Sequence, residues 1–250
     1  MHPIVQPGTA TAIPVPPPGG LSPVCDWLPR SSLSDFPGHP AALFFVSGCN
    51  FACGFCHNAR RLAQRRDGRS WGELDRVCRR FREGWLHHAV ISGGEPTLHD
   101  DLPELITFLH RRGFRVKLDT NGSNPALLNA VLPRVDYVAM DIKCALHRYP
   151  EVVRFDDIDR IAESVGLIRK HARDYEFRTT VVDGLLRDED FDAIVRLVRG
   201  ARRYVLQPFL PRPDLPGEEL RSLPRTPPGR LAALRDRMKG CADEVAVRGA

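Results

Sequence analysis

The chain has 250 residues, 36 Lys+Arg against 31 Asp+Glu, a formal charge of +5, and 42% hydrophobic and 27% charged residues. That balance excludes disordered and fibrous chains, and the length allows one large domain whose core needs no disulfide staples. The longest uninterrupted apolar run, Ala41–Val46, is too short to cross a bilayer, which speaks against a membrane protein. The basic charge is carried by arginines, with only four lysines, and is spread rather than blocked. With no basic run interleaved with aromatics, it reads as a solvated surface and not as a specific nucleic-acid site.

Seven of the 22 prolines fall before residue 24. Proline at that density blocks helices and sheet ladders, so residues 1–30 are expected to form a Pro-rich, disordered tail. The tail has no Lys or Arg before Arg30 and no apolar h-region, so it is not read as a secretory signal. Ala41–Ser47, bounded by Pro40 and Gly48, suits a buried strand. Ser70–Arg82 reads as a helix with Ser70 and Glu73 forming a capping box. Ala89–Ser92 is a strand, Asp100–Arg111 a helix stopped by Gly113, and Arg115–Asp119 a strand. Asn124–Val131 is a short helix with Pro125 in its first turn, and Tyr137–Asp141 a strand. Asp157–Arg173 is an amphipathic helix, Glu176–Val182 a strand, Glu189–Arg199 a helix and Tyr204–Gln207 a strand. A second Pro-rich stretch, 208–228, predicts an extended strap, followed by a helix over Leu231–Lys239 and a last strand over Glu244–Val247.

Six β/α units in a row predict an α/β fold, with residues 31–250 as one domain. A doubly wound sheet and a barrel both satisfy the alternation. Polar motifs stand at the C-terminal ends of successive strands, where barrels gather their chemistry, which favours an open or partial barrel.

Seven cysteines, an odd number, argue against a secreted disulfide framework. Three of them crowd into Cys49-Asn-Phe-Ala-Cys53-Gly-Phe-Cys56, directly after the first strand of the β/α series. Thiolates on one tight loop can hold three corners of an iron–sulfur cube and leave the fourth iron to an external ligand. The blander alternative is zinc held by these cysteines and His57. A histidine adjacent to Cys56 is poorly placed to complete that tetrahedron. Clustered cysteines also imply a reducing compartment, so a cytoplasmic location is expected. Cys25, Cys78, Cys144 and Cys241 have no partner spacing and read as small buried hydrophobes. Trp27, Trp71 and Trp85 read as packing residues, and His87-His88 as surface.

Three further motifs end later strands. Ser92-Gly93-Gly94-Glu95-Pro96 brings backbone close to a ligand, and Glu95 can accept from an ammonium group. Lys117-Leu118-Asp119-Thr120-Asn121-Gly122 and Asp141-Ile142-Lys143 place two carboxylates, a hydroxyl and a cation at neighbouring strand ends. On Glu176-Phe177-Arg178-Thr179-Thr180, alternation turns Arg178 to the same face as Glu176 and Thr180. Gln207-Pro208-Phe209 is a weaker candidate.

The C-x3-C-x2-C loop, with Phe55 before its last cysteine, resembles the cluster loop of radical S-adenosylmethionine (SAM) enzymes, and the GGEP element resembles their SAM-binding turn. The resemblance implies a partial (β/α)6 TIM-like barrel and one [4Fe–4S] cluster on Cys49, Cys53 and Cys56. It also implies SAM on the open iron and an oxidoreductase that cleaves SAM reductively. The DTNG and D-x-K elements, with SLSDFPG, EFRTTVV and YVLQPF, resemble activating enzymes of glycyl-radical enzymes, most closely those of anaerobic ribonucleoside-triphosphate reductase. This implies SAM contacts from Phe55, Gly93, Gly94, Glu95, Asn121, Lys143 and Arg178. It further implies a monovalent cation on Asp119, Thr120 and Asp141. The implied partners are a glycyl-radical enzyme, the anaerobic reductase, and flavodoxin or ferredoxin as electron donor. The alternatives are a radical SAM enzyme acting on another glycyl-radical enzyme, a small molecule or a peptide, and, last, a non-catalytic metal module.

Overall fold

A computed structural model describes residues 19–60 and 67–249. Nine strands form one open sheet. β1 (Val24–Trp27) and β2 (Ser32–Phe36) pair antiparallel with β3 (His39–Val46). From β3 the order runs parallel through β4 (His88–Gly93), β5 (Arg115–Thr120), β6 (Tyr137–Asp141), β7 (Tyr175–Val181), β8 (Ala201–Pro208) and β9 (Ala242–Val247). β1 and β9 stand at opposite ends and do not pair, so the barrel is partial.

The helices fall between the strands as their periodicity predicts, apart from the short turn Tyr149–Val152, which the sequence reading does not include. They are α1 (Trp71–Glu83), α2 (Leu102–Arg111), α3 (Pro125–Val131), a single turn α4 (Tyr149–Val152), α5 (Ile158–His171), α6 (Asp188–Val198) and α7 (Pro228–Arg237). Ser70 and Glu73 make the expected capping box, and Asn124 caps α3 by accepting from the Leu127 N–H. Parallel crossovers of one hand, taken in strict order, put the helices on one side and curl the sheet away from them.

Alternation along the strands divides the interior. Phe44, Ile91, Leu118, Met140, Phe177 and Leu206 face the helices and form the main core. Leu43, Phe45, Val90 and Ala139 face the concave side, in a smaller core with Cys25, Phe36 and Tyr137. The rest of the concave side is polar, carrying Lys117, Asp119, Asp141, Glu176 and Arg178.

The amino-terminal region departs from expectation. Residues 1–18 of the expected tail lie outside the described residues. Val24–Trp27, inside the predicted 1–30 tail, is a sheet strand, with Val24 and Cys25 fully buried. Pro23 and Pro29 flank this strand rather than interrupt it, so the ladder loses no donor. Pro37-Gly38 turns β2 tightly into β3, with Gly38 at φ +74°. β9 extends the six units by a seventh parallel strand. Cys25, Cys78, Cys144 and Cys241 are buried as predicted. Trp85 is not a packing residue: it is 84% exposed, because the chain leaves α1 through Gly84 and takes a left-handed turn at Trp85. Among the described residues no helix is long and apolar enough to cross a membrane.

Candidate active site

The C-terminal ends of β3 to β8 open into one cavity of about 470 Å³, within the size range of cofactor sites. Cys49, Cys53 and Cys56 line it from the loop after β3. Gly93, Gly94 and Glu95 follow from the turn after β4, Asp119, Thr120 and Asn121 from β5, Asp141 and Lys143 from β6, and Arg178 from β7. Phe55 lines it while packing into the main core. Every site residue expected from sequence therefore reaches one cavity, joined by Gln207 of β8.

The cysteine loop is clamped from several sides. Gly94 donates to the Val46 carbonyl at 3.0 Å, and the Glu95 N–H to the Gly48 carbonyl at 2.8 Å. A Cβ on Gly94 would overlap the Gly48 carbonyl, and one on Gly93 would meet Val46 backbone. The paired glycines are thus required by close backbone approach. His99 Nε2 bonds the Ser47 carbonyl at 2.8 Å, and Ala52 donates to the Val153 carbonyl at 2.9 Å. Asn121 Nδ2 donates to Asn50 Oδ1 at 3.0 Å and lies 3.8 Å from Cys49 Sγ. The predicted strap crosses the outside of the loop. Gly217 donates to the Gly54 carbonyl at 2.9 Å, and His57 Nε2 meets the Leu210 carbonyl at 2.9 Å. His57 is therefore occupied by the strap.

These residues fit a cluster. Three soft thiol donors share one loop and face one cavity, and none is paired in a disulfide. His57 Nε2 is taken by the Leu210 carbonyl, which removes that nitrogen from a zinc site on the cysteines and His57.

Glu95 differs from its expected role. It is fully buried; its Oε1 accepts from the Thr97 N–H (3.0 Å), Thr97 Oγ1 (2.6 Å) and Thr120 Oγ1 (2.7 Å), and its Oε2 from the Asn121 N–H (2.6 Å). Burial raises its pKa against these donors. Glu95 is a brace between the turn after β4 and the end of β5, not an open acceptor for an ammonium group. In the same turn the Gly93 carbonyl accepts from Asn58 Nδ2 at 3.0 Å.

The expected cation ligands are also engaged. Thr120 Oγ1 gives its proton to Glu95 and accepts from the Gly122 N–H at 3.1 Å. Asp141 Oδ1 accepts from Arg178 Nε at 2.8 Å, and its Oδ2 lies 3.3 Å from both Arg178 Nη2 and Lys143 Nζ. Asp119 Oδ2 accepts from Ser92 Oγ at 3.1 Å and lies 3.2 Å from Arg178 Nη2, while its Oδ1 pairs with the buried Lys117. Despite burial, Arg178 and its neighbouring lysines hold both aspartates below the usual carboxylate range. Lys117 and Ser92 were not singled out as site residues from sequence. Alternation places Lys117 on the same face as Asp119, which was the available signal.

A curled parallel sheet with three cysteines on its first βα loop and a glycine-paired second loop defines a radical SAM fold. The profile of the Radical SAM superfamily matches residues 43–198, and the chain belongs to that superfamily. Its cofactors are accordingly a [4Fe–4S] cluster and SAM. A Methanocaldococcus jannaschii protein, provisionally described as a glycyl-radical enzyme activating enzyme, is 32% identical over 225 residues, covering 87% of this chain and 92% of its own length. The 7-carboxy-7-deazaguanine synthase of Neisseria meningitidis is 33% identical over 115 residues, 45% of this chain and 48% of its own. Among solved structures, SAM-bound SuiB of Streptococcus suis superposes with a TM-score of 0.62 at 14% identity, over 81% of this chain and 48% of SuiB. A domain of pyruvate-formate lyase-activating enzyme from Bacteroides vulgatus gives 0.51 at 14% identity, over 65% of this chain and 99% of that domain. These two likenesses concern the fold alone.

Proposed function

We propose that this protein is an activating enzyme that installs a glycyl radical on a partner enzyme, and that the partner is an anaerobic ribonucleoside-triphosphate reductase. The observation that carries this reading is the near end-to-end alignment with the Methanocaldococcus jannaschii protein. The partial barrel suits the task, since an open side admits a polypeptide loop where a closed barrel would not. When bound, the cluster and SAM would supply one-electron radical chemistry at the cavity.

The chain's own residues bind, orient and exclude water. Cys49, Cys53 and Cys56 would hold the cluster. The Asn121 amide, near Cys49 Sγ, favours added negative charge on that sulfur. The Gly93–Gly94 turn would receive the amino group of SAM, and Lys143 its carboxylate. Phe55 walls the cluster from solvent. Flavodoxin or ferredoxin supplies the electron, in a reducing cytoplasm.

The test is anaerobic reconstitution, reduction and addition of SAM, with 5′-deoxyadenosine as readout, followed by addition of the reductase and spin-resonance detection of its glycyl radical. Deoxyadenosine formed without a glycyl radical on any such partner would overturn the activase reading. The partial match to 7-carboxy-7-deazaguanine synthase favours a second reading, a small nucleobase precursor as substrate. Turnover of such a molecule with no partner protein present would select it.

A further inference from the structure

Two carboxylates at neighbouring strand ends, buried and close, repel each other unless a positive charge stands between them. The resemblance to activating enzymes assigns that place, between Asp119 and Asp141, to a monovalent cation. In this chain Arg178 fills it. Its Nε and Nη2 donate to the two oxygens of Asp141 at 2.8 and 3.3 Å, and Nη2 reaches Asp119 Oδ2 at 3.2 Å. The outer oxygens of the pair are closed off by lysines: Lys117 on Asp119 Oδ1, and Lys143 on Asp141 Oδ2 at 3.3 Å. Thr120, the third expected ligand, spends its hydroxyl on Glu95 and the Gly122 N–H. Each oxygen that would have held the ion therefore already has a protein donor.

Arg178, Lys117 and Lys143 already give both carboxylates a positive partner, in a site whose aspartate and arginine side chains are at most 21% exposed, so a further cation placed there would be repelled by them. Position is fixed by the fold: Asp141 and Arg178 are register partners on β6 and β7, so the guanidinium meets the carboxylate across one ladder rung.

We propose that Arg178 is the resident cation of this site, a positioning residue that replaces the monovalent ion and makes SAM binding indifferent to sodium and potassium. The inference takes the place of the ion from the resemblance to activating enzymes, and its test needs no glycyl-radical partner.

The test uses the full chain with its cluster loaded anaerobically. SAM affinity by equilibrium dialysis and the unfolding midpoint are measured in potassium, sodium and tetramethylammonium chloride at one ionic strength. For the wild type, all three salts are expected to give the same Kd within twofold and the same midpoint within about a degree. A wild-type Kd that tightens fivefold or more in sodium or potassium overturns the proposal, whatever the variants do. Arg178→Gln is expected to lose SAM affinity in tetramethylammonium and to regain at least part of it, with its midpoint, in potassium or sodium. A folded Arg178→Gln with no such rescue also overturns it. Arg178→Lys keeps the charge and is expected to remain salt-indifferent.

Discussion

Glu95 and Thr120, at the ends of adjacent parallel strands, are both buried and joined by a 2.7 Å hydrogen bond from the threonine hydroxyl to the carboxylate. With the Asn121 and Thr97 donors, this one side chain ties the turn after β4 to the end of β5. Glu95→Ala leaves several buried donors unpaired, and we expect a loss of about 3–5 kcal/mol in denaturant unfolding. Glu95→Gln keeps Oε1 but turns an amide toward the Asn121 N–H, and about 1–2 kcal/mol should be lost. Equal stability of Glu95→Ala and wild type would remove the bracing role.

Gly94 passes against Gly48 so closely that a Cβ has no space, and the obstacle is backbone. Gly94→Ala should push the cysteine loop off the β4 turn and break the 3.0 and 2.8 Å bonds from Gly94 and Glu95. The expected outcome is a chain with wild-type circular dichroism and less than half the iron of the wild type after anaerobic reconstitution. Gly166 is the control, an exposed position on α5 with nothing within 4 Å of an added Cβ. Gly166→Ala should keep full iron and gain about 0.5–1 kcal/mol of stability.

The contrast between these positions shows what a linear sequence carries. The cysteine loop, the β4 turn and the capping box were legible because their chemistry lies within a few residues, at fixed spacing. Strand ends were legible from alternation, which brought Asp119, Asp141 and Arg178 to one face. Their pairing was not, since the rung joining Asp141 to Arg178 spans 37 positions and the order of strands decides it. Proline density hid β1, because composition averages over a flank and a strand alike. β2 and its Pro37-Gly38 turn into β3 went unread as well. Exposure of Trp85 depends on a single left-handed residue, and no periodicity reports that.

Lys143 is held from behind by Tyr149, whose fully buried hydroxyl accepts the Lys143 N–H at 3.1 Å. Burial raises the pKa of this phenol well above the ordinary value, so it stays neutral. Tyr149→Phe preserves volume and removes the acceptor. We expect about 1 kcal/mol of lost stability and a threefold to tenfold weaker Kd for SAM. Calorimetric titration of the cluster-loaded protein checks this, and unchanged affinity would show that the backbone at Lys143 needs no such support.

His88 gives the fold an acid-side weakness far from the cysteines. It stacks on His39 with ring centroids 3.9 Å apart and meets Phe36 edge-on at 4.7 Å. Burial, with His39, Arg115 and His87 nearby, pulls its pKa down to about 4, opposed only in part by Asp136. A histidine in an unfolded chain titrates near 6.5. Between those values the unfolded chain binds the extra proton and the folded one does not, so stability should fall as pH drops from about 6.5 to about 4. His88→Gln carries no titrating group and should flatten that part of the curve. Urea midpoints at pH 7 and pH 5 test it. The wild type should lose more stability than the variant between these two pH values, and parallel losses would mean that the slope belongs to other groups.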